Sequence, residues 1–112
     1  MNDRELLELA AKAAGIEFDF CRPELGGCQV RKGLVSGWWN PLASDGDALR
    51  LAVELGLSVS TGIDWAEAKI DGLTSIKEFS NEDYQDIFAA TRTAIVRAAA
   101  KIGRHMQEGG AT

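Results

Sequence analysis

Trp38-Trp39-Asn40-Pro41-Leu42-Ala43-Ser44-Asp45-Gly46-Asp47-Ala48-Leu49-Arg50-Leu51-Ala52-Val53-Glu54-Leu55-Gly56 is the stretch whose reading decides the fold. An extended run ends in it and a helix begins. Proline lacks an N–H and biases the preceding residue away from helix, so Asn40-Pro41 stops whatever comes before. Ser44 or Asp45 supplies a capping oxygen, and Gly56 suits the left-handed residue that closes a helix. At about 100° per residue, Leu49, Val53, Ala52, Ala48, Leu55 and Leu51 cover most of the circumference. Arg50, Glu54 and Asp47 make the remaining polar strip. The expectation is a central helix buried on more than one side.

Upstream, Asp3 to Ala14 reads as a helix capped by Asp3 and ended by Gly15, with Leu6, Leu7, Ala10, Ala11 and Ala14 as its apolar stripe. Ile16-Glu17-Phe18-Asp19-Phe20 then alternates strictly, the period of a strand with one buried face. Pro23 and Gly26-Gly27 supply a loop, and a second extended run goes from Cys28 to about Gly37, with Val30 facing the core. Leu34-Val35 spoils its alternation, and Gly33 is placed to mark a bulge. The two runs form an antiparallel hairpin. Trp38 and Trp39 end its second strand on opposite faces, so both indoles cannot enter one core.

Downstream, Leu57 to Thr61 alternates as a third strand, and Gly62 interrupts it. Trp65 to Ile70 suits a fourth strand or a short helix, and the turn Asp71-Gly72 behind it favours the strand. Leu73, Ile76 and Phe79 are expected to pin a loop against the core. Ser80 is the expected N-cap of a last helix, with Glu82, Asp83 and Asp86 at its positive end. Tyr84, Ile87, Phe88, Thr91, Ala94, Ile95, Ala98 and Ile102 share its apolar face, and Gly103 is expected to weaken it. The resulting fold class is α+β: a small, mainly antiparallel sheet of three or four strands packed by three helices, in the order α-β-β-α-β-(β)-α. Residues 1–108 form one domain, followed by a frayed tail, 109–112.

A chain of 112 residues can build one core without a metal or disulfide staple. Its net charge of −5 argues against general nucleic-acid binding, because phosphate contacts need a basic surface. No apolar run approaches the roughly 20 residues of a membrane-spanning helix. Met1-Asn2-Asp3-Arg4-Glu5 is an acidic helix start rather than a basic signal region, so a cytosolic protein is expected. Cys21 and Cys28 lack Cys-x-x-Cys spacing and further ligands nearby. They are expected as reduced thiols at the ends of adjacent strands, close enough to oxidise in air.

Catalytic signals are sparse. Asp45 and Asp47 flank Gly46 without the remaining ligands of a calcium loop, and capping explains them. His105 lies near a helix C-terminus, where the dipole favours it without chemistry. No serine has a Gly-x-Ser-x-Gly context, and no glycine-rich phosphate loop appears. The expectation is no enzyme, no catalytic residues, no metal and no cofactor. The turn Trp38, Trp39, Asn40 and Pro41, with Asp47, is the candidate partner-binding site, since an exposed Trp is a favoured interface anchor. Arg97, Lys101 and Arg104, spaced by four and three, form a possible basic docking stripe on one side of the last helix.

Trp39-Asn40-Pro41-Leu42, the run Asp47-Ala48-Leu49-Arg50-Leu51-Ala52-Val53, and the Ala-rich run from Ala89 to Ala100 together resemble small phage and prophage proteins grouped as NinX-like or phage αβα-sandwich proteins. The likeness covers about half the chain; the Cys21–Cys28 hairpin and residues 60–80 depart from it. It carries over no catalytic residues. It implies a phage-encoded accessory protein acting in the host cytoplasm. Together with the missing catalytic constellation and the aromatic turn at Trp38–Pro41, the expected function is binding a host or phage protein, or a second copy of itself. The alternative is a small-molecule binder or minor enzyme with a pocket beside the Trp38–Asp47 turn, where Trp38, Asn40 and Asp47 would supply stacking and polar contacts.

Overall fold

Alanines decide how closely the layers approach. The last helix presents Ala90, Ala94, Ala98, Ala99 and Ala100 without exposed surface or nearly so, and Ala66 and Ala68 answer them from a sheet. The computed structural model describes residues 1–33, 37–70, 74–79 and 86–109. Within these the chain runs α1 (Asp3–Ala13), β1 (Glu17–Arg22), β2 (Gly27–Lys32), β3 (Gly37–Trp39), α2 (Asp45–Leu55), β4 (Ser58–Thr61), β5 (Trp65–Ile70), β6 (Thr74–Phe79) and α3 (Ile87–Gly109). The fold is α+β. The expected single sheet is two, each three-stranded and antiparallel, in the orders β1-β2-β3 and β4-β5-β6.

The hub is α3. It packs most extensively on α1, then on β5 and β6, and it carries α2 at its flank. This corrects the expectation of α2 as the central helix, buried on more than one side. Ala48, Leu51 and Ala52 are buried, but Leu49 is 64% and Val53 72% exposed, while Asp47 of the polar strip turns inward. The caps of α2 are as expected: Ser44 Oγ accepts from the Asp47 N–H at 3.2 Å, and Gly56 takes φ 67°. At α1 the capping oxygen belongs to Asn2 rather than Asp3; its Oδ1 accepts from the Glu5 N–H at 2.8 Å.

The first hairpin departs from strict alternation for a local reason. Phe18 faces Val30 and Phe20 faces Gln29, so Asp19 is an extra residue in β1. Glu17 faces Lys32, which makes Arg31 the extra residue in β2. The two unpaired residues find each other, Arg31 Nε lying 3.1 Å from Asp19 Oδ1. A bulge shifts the side-chain period by one. Phe20 therefore leaves the core face, and Cys21 takes the inward position opposite Cys28. Cys21 and Cys28 are not free thiols: they form a disulfide, buried, with Cα atoms 3.9 Å apart.

Thr74–Phe79 is a strand, where a pinned loop was expected. Ile76 pairs with Ala68 and Glu78 with Ala66, so both look toward α3. The buried-face position at Glu78 holds a charge, which hides the alternation; Arg97 of α3 compensates it at 2.9 Å. The capping oxygen described at the start of α3 is Asp86 Oδ1, which accepts from the Ala89 N–H at 2.7 Å. The expected cap Ser80, together with Glu82, Asp83 and Tyr84, lies outside the described residues, as do Leu34-Val35, Asp71-Gly72, Leu73 and residues 110–112. Among the described residues, no helix is long and apolar enough to cross a membrane.

Candidate functional site

The turn before α2 is a hydrogen-bonded joint. Asp47 Oδ2 accepts from the Asn40 N–H at 2.9 Å, and its Oδ1 accepts from Arg50 Nη2 at 2.8 Å. Asn40 Oδ1 in turn accepts from the Leu42 N–H at 3.1 Å. From α3, Arg92 Nε donates to the Leu42 carbonyl at 2.9 Å, while its Nη1 pairs with Asp45 Oδ1 at 2.6 Å. The two aspartates thus point to different partners. Among the described residues no three His, Cys, Asp or Glu side chains converge as a metal site.

Of the five residues expected at a partner surface, three are interior. Trp39 and Pro41 are fully buried and Asp47 nearly so. Trp39 supports the first sheet from inside, opposite Cys28, and its Nε1 has no hydrogen-bond partner among the described residues. Asn40 is half-buried and committed to the turn. Trp38 is the outward one, 45% exposed. It lies in a row across the sheet, Phe20–Gln29–Trp38, on the face away from the core. Its ring and that of Phe20 pack edge to face, centroids 5.8 Å apart, and the indole also lies against Gly26. Arg22 sits 6.0 Å from the Phe20 ring centroid. The result is a small aromatic platform with a cation at its margin. Phe20 was hidden from sequence reading because the Asp19 bulge moved it to this face.

A second surface lies between α2, β4 and the start of α3. Its groove encloses about 520 Å³ and is mostly apolar, bounded by Ala48, Leu49 and Ala52 on one wall, Val59 and Thr61 on another, and Ile87, Phe88 and Ile95 on the third. The Asp45–Arg92 ion pair sits at its rim. Trp38 and Asn40 do not line it. The only sequence sign of this groove was the excess of apolar positions around α2, which reads equally as burial.

Arg97, Lys101 and Arg104 do share one groove, with Met1, Leu6 and Ala100. Arg97 spends its charge on Glu78, and Lys101 and Arg104 are exposed. His105 is exposed near the end of α3. Searches against family models, curated proteins and solved structures match nothing to this chain.

Proposed function

We propose that this chain is a non-catalytic accessory protein, phage- or prophage-encoded, that acts in the host cell by binding a host or phage protein. One observation carries the docking reading: of two adjacent tryptophans, Trp39 is fully buried and Trp38 stands 45% exposed against Phe20 and Gly26. Flat, rigid aromatic surface with a nearby cation is the composition of an interface anchor. The phage setting and host cytoplasm rest on the resemblance of the Trp39–Leu42 turn, the Asp47–Val53 helix and the Ala-rich run in α3. The Cys21–Cys28 bond pulls against the cytoplasm, where thiols are kept reduced.

Affinity capture from host lysate tests the reading. The wild-type chain should retain a defined protein that Trp38→Ala and Phe20→Ala each lose, with melting temperatures unchanged. Equal recovery by the Trp38→Ala, Phe20→Ala double variant would overturn it.

A second reading, a small-molecule binder, is favoured by the apolar groove of about 520 Å³. It locates the ligand between α2, β4 and α3, not beside Trp38 and Asn40. A thermal-shift panel of metabolites and nucleotides discriminates, since a bound ligand raises apparent stability by mass action.

A further inference from the structure

We infer that two copies of this chain associate through β4, extending the second sheet across a twofold axis. Among the described residues the sheet order leaves β4 at an edge, paired only with β5. Its free side can be read residue by residue. The Gly62 N–H donates to the Trp65 carbonyl at 2.8 Å, so Gly62 points into the sheet. Backbone direction alternates along an antiparallel strand, which sends the Val59 and Thr61 amides and carbonyls outward. Leu57, the next outward position, is already used: its N–H donates to Ala52 of α2 at 2.9 Å. Among the described residues, the backbone of β4 left without a partner is therefore that of Val59 and Thr61.

This pair is self-complementary. Set antiparallel to a second β4, Val59 meets the partner's Thr61 and Thr61 the partner's Val59, with Ser60 on the axis. Every outward group of the strand is then satisfied, and Leu57 is not required. In this register Ile63 lies opposite the partner's Leu57, beside the turn that ends α2. That turn contains Gly56, around whose missing side chain the space is open.

The side chains around the edge support the same occupant. Ile63 is 96% exposed, on the loop that follows β4, and Val53, one helical turn before Gly56, is 72% exposed. Leu49 and Phe88, both on the groove, are also largely exposed. Together with Val59 they make an apolar surface on the order of several hundred Å², at the upper end of what a monomer leaves bare. With the strand backbone added, this approaches the roughly 800 Å² per partner of a standard interface. A foreign strand could use the free amides, but the protruding Ile63 and the open turn at Gly56 are two halves of one contact only when the partner is a second copy. The surface is separate from the Trp38 platform, so this inference stands or falls apart from the docking proposal.

Sedimentation of the full chain tests it. The wild type should sediment as a dimer. Val59→Pro removes an amide that faces away from β5, a position an edge strand tolerates. Ile63→Glu places a charge on a fully exposed side chain, so the protomer still folds even where proline at residue 59 disturbs it. Each should weaken dimerisation at least tenfold, with circular dichroism unchanged for Ile63→Glu. A wild type that remains monomeric up to about 1 mM, including one whose groove takes a small molecule or another protein, overturns the inference. So does an Ile63→Glu chain that dimerises like the wild type.

Discussion

Gly103 of α3 rests directly on the backbone carbonyl of Leu9 in α1. A Cβ at residue 103 would occupy the space of that oxygen, so the glycine is what lets α1 and α3 come together. On helix propensity alone Gly103→Ala should stabilise by about 1 kcal/mol. The contact reverses the sign: forcing the two backbones apart is expected to cost about 1–3 kcal/mol net. Urea denaturation of the variant checks the direction, and a raised midpoint would show that α1 can move aside freely.

On the other side of α3 the same economy of space holds. Ala68 is fully buried against the helix, opposite Ile76. Ala68→Leu should destabilise by roughly 1–3 kcal/mol through overpacking, whereas the outward-facing neighbour Lys69 should accept leucine with little change. Thermal melts of the two variants side by side measure the contrast.

The Cys21–Cys28 bond closes a short loop, seven residues apart in sequence. By loop-closure entropy it should contribute about 2–3 kcal/mol. Cys21→Ala with Cys28→Ala, or reduction of the wild type, should lower the urea midpoint accordingly. Acid-trapped alkylation in cells reports the compartment as well: a bond found reduced agrees with the host cytoplasm, and one found oxidised places the chain elsewhere.

What sequence could show is visible in how these elements failed or succeeded. Both ends of α2 and the stop of α1 were legible because their chemistry is local: Ser44, Gly56 and Gly15 end or begin helices as their residue types require, although the cap of α1 fell to Asn2 rather than Asp3. The strand Leu57–Thr61 followed from alternation, whereas Trp65–Ile70 suited strand or short helix alike, and only the Asp71-Gly72 sequence behind it favoured the strand that forms. Phe20 was misassigned to the core because a bulge depends on pairing with another strand, which no window of sequence contains. The β6 pattern was hidden by a carboxylate whose partner, Arg97, lies 19 residues away in the chain. Gly103 read as a weakness because its reason is the Leu9 backbone, far off in sequence. For the aromatic site, the opposed faces of Trp38 and Trp39 were legible, but which indole faced outward was set by the Trp39–Cys28 register.

Asp45 and Asp47 show how two like residues in one turn differ once the chain folds. Asp47 is 12% exposed at its side chain and accepts from both Asn40 and Arg50. Removing it strands the Asn40 amide at the joint between β3 and α2, so Asp47→Ala should cost about 1.5–3 kcal/mol, the range for hydrogen bonds to a charged group. Asp45 is 65% exposed, and its partner Arg92 keeps a second bond to the Leu42 carbonyl. Solvent screens such a pair, and Asp45→Ala should cost no more than about 1 kcal/mol. Chemical denaturation of both variants under the same conditions decides it. Equal losses would mean that the turn is held from α3 through Arg92, and that the Asp47 carboxylate is not what fixes Asn40 to the helix.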